Sequence, residues 1–492
     1  MTHKKSSATE YFDVIVVGAG ISGIGSAWYL QRDCPKKSFV LLEALGHFGG
    51  TWHIHRYPGI RSDSDLYTFG FSFKPWVQEP VATAERVMTY LSEVIDDTGI
   101  DQHIRYHHRV VSADWSSQDA LWTLTVKTDH ESLIFQTRFL WMCQGYYRHA
   151  QGYTPDWEGM DEFSGEIVHP QNWPEKLNYS GKNVAVIGSG ATTATLVPAI
   201  ADKTSHITVI QRSPTYFNPG KNADELADQL RALEIDEFWI HTIVRKKLLK
   251  EQKDRIYRAA REPDAVAKEM IDVARAHLGH DVDVETHFTP RYRPWQQRVA
   301  FIPDGDFFES FRKGEASIVT GEIDRFTPFG VRLRSGEEVG ADIVITATGF
   351  DLCILGDIEF HIDGVPLNFA DTVTYQGMMF TGIPNFVWVF GYFRASWTLR
   401  VEMIAEVMCR LLNHMDQTGM RKVTVKVPDE LLHLTKLPWV DEEQFNPGYL
   451  KRSMHLMPKR LDVSDWQHTQ DYWAEKPRFA EIDVAGEVFC YQ

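Results

Sequence analysis

Apolar positions along the chain form two separate strand–turn–helix patterns. The first starts at Phe12 with a short β-branched run and passes through a glycine-rich turn into a helical pattern, FDVIVVGAGISGIGSAWYLQRDC. The second, KNVAVIGSGATTATLVPAI, starts at Lys182 and repeats this order. Such units are typical of parallel sheets that bind dinucleotides. The sequence therefore predicts an α/β fold with two Rossmann-like dinucleotide-binding domains.

The residues of the first turn have distinct predicted roles. Gly18 permits the tight turn, Gly20 lets the backbone approach a pyrophosphate, and Gly23 allows close packing of helix and strand. The phosphates would lie at the positive helix N-terminus, where Ser22 adds a hydroxyl donor. Glu43 ends the next strand, where a carboxylate accepts hydrogen bonds from ribose hydroxyls and repels a 2′-phosphate. The first site therefore favours FAD or NAD.

The second turn differs from the first at its sixth position and at the end of the next strand. It carries Gly188 and Gly190, but Thr193 replaces the usual Gly or Ala, which predicts a wider separation of helix and strand. The following strand ends in Arg212 and Ser213 instead of an acid. Because a guanidinium is well suited to hold a phosphate dianion, the second site is expected to prefer NADPH.

Further patterns predict the division of the chain into domains. A helix at 84–97 and strands across 104–145 complete the first lobe. Residues 221–285 are charged and helical in pattern, and we expect this insertion, with its basic run RKK, to be mostly solvated. The run ADIVITATGF is expected to return the chain to the first domain. The predicted parts are 1–150 for the first part of the FAD domain, 151–180 for a linker, 181–335 for the NADPH domain, and 336–492 for the FAD return segment with C-terminal helices.

Composition narrows the range of partners. The formal net charge of −16 disfavours nucleic acid, whose phosphates bind clustered Lys and Arg. The five cysteines are scattered without a CxxC pair, which favours a reducing cytoplasm and disfavours a disulfide reductase. No apolar run follows the N-terminal MTHKKSSATE or reaches the roughly 18 residues of a membrane span. His103, His107 and His108 lack other ligands at metal-binding spacing, so no metal is expected.

The loop GGTWHIHRYPGIRSD, residues 49–63, is too irregular for a core strand. A lone Trp52 would usually be a core residue, but here it follows a glycine pair that permits close approach of a cofactor. We therefore expect this loop to contact the cofactor.

The segment FSGEIVHPQNWP, residues 163–174, resembles the fingerprint of type I Baeyer–Villiger monooxygenases. It carries Phe163, Gly165, His169, Trp173 and the following proline at the fixed positions of that motif. The loop at 49–63 matches a second signature of the same family. The stretches RYPGIRSDSD, HPQNWPE, GSGAT, QRSPTY and ASWTL extend the similarity over nearly the whole chain, to the ethionamide-activating subgroup.

The resemblance implies a specific chemistry. A bound FAD would be reduced by NADPH and react with oxygen to a flavin peroxide, which converts ketones to esters or lactones and also oxygenates sulfides and thioamides. Arg298 matches the arginine that stabilises the anionic oxygen, a task that requires a fixed cation. Asp63 matches the aspartate that orients it, and His169 is implied to affect NADPH use from the domain junction.

The complete set of expected site residues follows from these arguments. Expected FAD-binding residues are Gly18, Gly20, Ser22, Gly23, Glu43, Gly50, Thr51, Trp52, Asp63 and Val110. Expected NADPH-binding residues are Arg61, Ser62, Asp63, Gly188, Ser189, Gly190, Ala191, Thr192, Thr193, Arg212 and Ser213.

One departure and two alternatives qualify the resemblance. Gln297 stands where some family members carry a lysine for the 2′-phosphate, so NADPH selectivity is expected to depend mainly on Arg212. A flavin-containing N- or S-oxygenase shares both nucleotide motifs. A nonenzymatic NADPH or redox sensor would use Arg298 and Asp63 only as an ion pair.

Overall fold

The computed structural model describes residues 9–492, so most of the N-terminal segment discussed above lies outside the described residues. Two sheets, each with a glycine-rich turn followed by a helix, organise the chain. The first turn leads into the helix Ile21–Asp33 and the second into the helix Ala191–Ile200. The predicted α/β fold with two Rossmann-like units is confirmed.

The first sheet is built around the strand Glu10–Val17. This strand pairs in parallel with Phe39–Leu42 on one side and with Ser132–Met142 on the other. Ile15 at its centre is fully buried, as expected for a parallel strand covered on both faces. The strands of this sheet, in spatial order, are Val365–Pro366, Glu359–Ile362, Arg109–Ser116, Leu121–Lys127, Ser132–Met142, Glu10–Val17, Phe39–Leu42 and Ile104–Arg105, with Phe386–Trp388 also paired to Ser132–Met142.

The second sheet corrects two of the predicted domain boundaries. Its parallel strands, in spatial order, are Ala316–Thr320, His206–Gln211, Asn183–Ile187, Ile343–Thr346 and Glu166–Val168. Glu166–Val168 was expected in the linker, and Ile343–Thr346 was expected to return the chain to the first domain. Both expectations are wrong, because the fully buried β-branched run Ile343–Thr346 pairs inside this sheet, where both of its faces are covered.

The chain crosses between the two units through an antiparallel ribbon. Tyr147–Gly152 leads out of the first unit, and Phe350–Leu352 pairs with it on the way back. Glu359–Ile362 then joins the first sheet beside Arg109–Ser116. The second unit is thus inserted into the first between these two ribbon strands.

The insertion predicted at 221–285 is helical and mostly exposed, as expected, but part of one helix is buried. Ile240 and Val244 are buried in the core of the first unit. The prediction that the basic run is solvated is wrong for Arg245, which donates to the Tyr67 carbonyl at 2.7 Å and lies 3.3 Å from the Glu402 carboxylate. These contacts fix the insertion to the first unit. Its helices are Glu225–Ala232, Glu237–Arg261, Pro263–Leu278 and Val284–His287.

Local signals explain where individual helices begin and end. The predicted helix at 84–97 is confirmed as Ala84–Thr98; Thr83 caps its N-terminus, and Gly99 ends it with a φ of 66°. The longest of the helices in the predicted C-terminal part is Trp397–Thr418, which packs against Ile21–Asp33. The remaining α-helices are Thr51–Ile54, Leu66–Phe69, Asp306–Arg312, Gly448–Ser453 and Tyr472–Glu481.

Short strands complete the structure outside the two main sheets. They are Phe217–Gly220, Ala300–Pro303, Ile323–Thr327, Gly330–Leu333, Glu338–Gly340, Thr374–Tyr375, Met379–Phe380, Val423–Val425, Leu437–Pro438, Lys459–Arg460 and Phe489–Tyr491. Among residues 9–492, no helix combines the length and the apolar character needed to span a bilayer.

Candidate active site

A continuous cavity of about 1230 Å³ connects the two glycine-rich turns. It extends from Gly20 and Glu43 past the loop at 49–63 to Gly190 and Arg212. Ligand pockets commonly have volumes of about 300–1000 Å³. The cavity is therefore large enough to hold more than one ligand.

Two positions of the first turn require glycine. Gly18 has a φ of +102°, and a Cβ placed there would lie 2.7 Å from the carbonyl oxygen of Cys143. A Cβ on Gly23 would lie 1.9 Å from the carbonyl oxygen of Gly18. Gly23 therefore allows the helix to approach the strand, as predicted, and does not itself line the cavity.

The first turn offers a cradle that suits an FAD diphosphate. Gly20 faces Gly50 so closely that a Cβ on Gly50 would lie 3.4 Å from the Gly20 Cα, and both residues line the cavity. The Ser22 hydroxyl accepts a hydrogen bond from Trp397 Nε1 at 2.8 Å, so its own proton is available to a ligand. The two glycines carry no side chains and the hydroxyl beside them is free to donate, so a phosphate can approach this backbone closely.

Glu43 lies beneath this cradle at the wall of the cavity. Its carboxylate accepts hydrogen bonds from the backbone N–H groups of Ala19 at 2.7 Å and Leu45 at 2.8 Å. Burial raises the pKa of Glu43 above its ordinary value, while these N–H groups act in the opposite direction. Each carboxylate oxygen keeps acceptor capacity for a ribose hydroxyl, because an ionised carboxylate has about four lone-pair sites.

Thr193 does not line the cavity, which corrects its assignment to the NADPH ligands. The side chain is fully buried, and its hydroxyl donates to the Gly188 carbonyl at 2.8 Å. Gly23 occupies the equivalent position in the first unit, because its spacing from Gly18 equals that of Thr193 from Gly188. No side chain fits at Gly23. The threonine side chain therefore fits between helix and strand at the second turn.

The residues around the second turn leave its backbone open to the cavity. Gly190 has no atoms within 4 Å of an ideal Cβ position. Ser189 is fixed by a hydrogen bond from its hydroxyl to the Ser213 carbonyl at 3.2 Å. Arg212 is exposed at the cavity wall. The other predicted residues that line the cavity are Gly18, Ser22, Thr51, Trp52, Val110, Gly188, Ser189, Ala191, Thr192 and Ser213.

Arg61 and Ser62 line the cavity, but the two terminal guanidinium nitrogens of Arg61 and the Ser62 hydroxyl already have protein partners. Arg61 forms an ion pair with Asp306 at 2.5 Å, which joins the loop at 49–63 to the second unit. The Ser62 hydroxyl donates to the Ser64 carbonyl at 2.7 Å. Both residues thus shape the loop through contacts within the protein.

Arg298 and Asp63 form a bidentate ion pair between the two turns. Arg298 Nε donates to Asp63 Oδ2 at 2.7 Å, and Nη2 donates to Oδ1 at 2.5 Å. Nη1 donates to the Phe393 carbonyl at 2.7 Å. Burial opposes the charged form, but the Asp63 carboxylate raises the pKa of Arg298 further above its ordinary value. The Arg298 side chain is 37% exposed, and its guanidinium stays a fixed cation at the cavity wall.

His169 lies at the ribbon between the units and does not line the cavity. Its Nε2 donates to the Gly349 carbonyl at 3.0 Å, and its Nδ1 accepts from the Gln171 backbone N–H at 3.1 Å. Burial lowers its pKa, which favours the neutral ring that this pattern requires. A Cβ on Gly152 would lie 1.9 Å from the ring. The histidine therefore joins the fingerprint to both strands that cross between the units.

The other fingerprint residues pack within the second unit. Phe163 is buried with its ring 6.1 Å from that of Phe326. A Cβ on Gly165 would lie 2.1 Å from the Asp342 carbonyl oxygen. Trp173 packs against the ring of Tyr179 at 6.2 Å. These contacts hold the fingerprint strand in its place at the edge of the second sheet, and none of the three residues lines the cavity.

Three tyrosines beside the Arg298–Asp63 ion pair were missed by the sequence analysis. Tyr146, Tyr147 and Tyr449 line the cavity, and the Tyr146 hydroxyl donates to that of Tyr147 at 2.7 Å. Burial raises the pKa of Tyr146 to about 12. The first two follow the strand Ser132–Met142 at the carboxyl edge of the first sheet, where ligands of such folds bind. Their position just after this strand could have identified Tyr146 and Tyr147 from the sequence. Tyr449 is far away in sequence and gave no such signal.

Comparisons with known proteins agree with this geometry. Two family descriptions match: an NAD(P)-binding Rossmann-like domain over residues 16–82 and a flavin-binding monooxygenase-like family over residues 73–218. The FAD-containing monooxygenase EthA of Mycolicibacterium smegmatis is 42% identical over 467 residues, 94% of each chain.

Solved structures share the fold over nearly the whole chain. An oxidized steroid monooxygenase bound to NADP has a TM-score of 0.77 at 22% identity and covers 98% of this chain and 99% of its own. An epsilon-caprolactone-bound cyclohexanone monooxygenase has a TM-score of 0.73 at 20% identity, with 98% and 100% covered. At these identities the similarity establishes the shared fold.

Proposed function

This chain belongs to the type I Baeyer–Villiger, FAD-containing monooxygenases, and on that basis we propose that it oxygenates small-molecule ketones with Arg298 and Asp63 as its catalytic pair. It is an NADPH-dependent flavin enzyme. The observation that carries the proposal is the fixed cation of Arg298 at the cavity wall between the two glycine-rich turns. Sulfides and thioamides are proposed as further substrates of the same site.

The proposed reaction is balanced by the two cofactors and oxygen. A ketone, O2, NADPH and one proton give an ester or lactone, water and NADP⁺. When bound, FAD accepts a hydride from NADPH and activates molecular oxygen. We propose that Gly20, Ser22, Glu43 and Gly50 hold FAD, and that residues 188–192 with Arg212 hold NADPH.

Arg298 is proposed to stabilise the negative charge that develops on the substrate carbonyl oxygen as its carbon becomes tetrahedral. A charged donor that is oriented before the reaction costs no reorganisation in the transition state. The bidentate contact with Asp63 fixes two of the guanidinium nitrogens, and the Phe393 carbonyl fixes the third. Asp63 thus positions the donor that contacts the reacting atoms.

Product analysis with NADPH, O2 and a panel of ketones and sulfides tests the proposed function. Ester or lactone formation from ketones is the expected result. Sulfoxides or N-oxides without any ester would favour the N- or S-oxygenase alternative. NADPH consumption that does not respond to any substrate would favour the sensor.

Arg212→Ala is expected to reduce the preference for NADPH over NADH by about 10- to 100-fold. A hydrogen bond to a charged group contributes about 1.5–3 kcal/mol, and only NADPH carries the 2′-phosphate that would receive it. The ratio of kcat/KM for NADPH to that for NADH measures the effect. Arg334→Ala, a change at an arginine that does not line the cavity, is the control. An unchanged ratio in Arg212→Ala would count against the assignment.

A further inference from the structure

We propose that Gln470 is a positioning residue for catalysis, because it holds the backbone unit that orients Arg298. This inference rests on the catalytic role proposed for Arg298. The Phe393 carbonyl accepts from Arg298 Nη1 at 2.7 Å, and the Phe393 backbone N–H donates to Gln470 Oε1 at 2.7 Å. Phe393 therefore links the Gln470 amide to the Arg298 guanidinium through two hydrogen bonds, one at its N–H and one at its carbonyl.

The segment 468–475 also holds the two residues that precede the bridging phenylalanine. His468 Nε2 donates to the Gly391 carbonyl at 2.9 Å. The Tyr392 hydroxyl donates to the Glu475 carboxylate at 2.5 Å. Three successive residues of the loop beneath Arg298 are thus bound by one short segment, so the loop has little freedom to shift independently of it.

The segment is itself anchored by a buried ion pair. Glu475 and Arg400 are fully buried in contact with each other. Burial alone would raise the pKa of Glu475, but the Arg400 guanidinium holds it below its ordinary value, so the carboxylate stays charged. Its second oxygen accepts from the backbone N–H of Thr469 at 2.9 Å and from the hydroxyl at 2.8 Å. The residue before Gln470 is therefore fixed directly by this ion pair.

Gln470 adopts a conformation that its contacts must maintain. Its φ of +57° lies in the left-handed region, which non-glycine residues adopt rarely. Its backbone N–H donates to His468 Nδ1 at 3.2 Å. The side chain does not line the cavity, so Gln470 acts on the reaction only through Phe393. This geometry aims the amide oxygen at the Phe393 N–H and so restrains the backbone of Phe393, whose carbonyl lies in the next peptide plane.

The position of this carbonyl matters because catalysis depends on small displacements. A misplacement of about 1 Å at a reacting group can lower a rate on the order of 100-fold. Asp63 and Ser64, the other partners of Arg298, both belong to the loop that follows Gly50. The Phe393 carbonyl is the contact that aligns Arg298 with the C-terminal part of the first unit.

Gln470→Met and Gln470→Glu form a matched pair that tests this inference in the FAD-loaded enzyme. Methionine approximates the length of glutamine but has no oxygen acceptor, whereas glutamate keeps one for the Phe393 N–H. The measurements are kcat and KM for a ketone that the wild type converts, ester formed per NADPH oxidised, hydrogen peroxide released, FAD content and melting temperature.

For Gln470→Met we expect kcat for ester formation to fall about 10-fold with little change in KM, since the acceptor positions a donor used in the transition state. NADPH should then be oxidised without ester, as NADPH, one proton and O2 give NADP⁺ and hydrogen peroxide. Gln470→Glu should restore ester formation to within about threefold of the wild type.

Two results would overturn the inference. One is wild-type coupling of NADPH oxidation to ester in Gln470→Met. The other is an equal loss in both variants, because the acceptor oxygen would then be irrelevant and the role purely structural. A wild-type enzyme that forms no ester would instead contradict the proposed function, so the two failures are distinguishable.

Discussion

Arg298→Ala is expected to lower ester formation about 1000-fold, the upper range for removal of one preorganised donor to a developing oxyanion. FAD content and NADPH-dependent flavin reduction should remain, because Arg298 lies between the two turns and is outside the residues proposed to hold either dinucleotide diphosphate. Steady-state ester formation and anaerobic flavin reduction, measured on the same preparation, separate the two effects.

Arg298→Lys and Asp63→Asn are the matched controls for this prediction. Lysine keeps the charge but cannot donate through a bidentate fork, so activity between the wild type and Arg298→Ala is expected. Asparagine keeps the shape of Asp63 but removes the charge that orients the guanidinium. Ester formation by Arg298→Ala within about 10-fold of the wild type would contradict the catalytic role.

The protein is expected to lose about 4 kcal/mol of its free energy of unfolding between pH 7 and pH 5 through two buried histidines. Burial, together with nearby arginines, lowers the pKa of His241 to about 4 and that of His468 to about 3. Unfolded histidine has a pKa of about 6.5. Below that value the unfolded chain binds protons that the folded protein does not, so stability falls as the pH decreases.

The variant His241→Asn tests the contribution of His241 to this pH dependence, which is about half of the expected loss of unfolding free energy. The histidine Nδ1 accepts from the Trp76 backbone N–H at 3.0 Å, and an asparagine oxygen can replace that acceptor. Urea unfolding of the variant should depend less on pH than that of the wild type, by about 2 kcal/mol between pH 7 and pH 5. The same pH dependence in both proteins would show that His241 titrates normally in the folded state.

The elements that organise the fold were predictable because they depend on local signals. The glycines of both turns, the helix that starts after Thr83 and the C-terminal helix follow from periodicity, caps and backbone conformation. The strand Ile343–Thr346 was assigned to the wrong sheet. An apolar β-branched run shows that a strand is buried on both faces but does not identify its neighbours.

The candidate site was predicted where a motif or the family resemblance supplied a signal, and it was missed where residues reach the site through tertiary contacts alone. Arg298 and Asp63 were paired through the family resemblance, and their contact follows the prediction. Thr193 was placed in the NADPH site by its position in the motif, yet its hydroxyl is used within the turn. Tyr449 and Gln470 had no sequence signal, because each reaches the site through tertiary contacts alone.

The most direct test of the central claim is the fate of labelled oxygen. The enzyme is supplied with FAD, NADPH, ¹⁸O2 and a ketone that it consumes, and the products are examined by mass spectrometry. The predicted result is one ¹⁸O atom in each ester molecule, with ester formed in proportion to the NADPH oxidised. Oxidation of NADPH in the presence of the ketone panel without any labelled ester would contradict the account.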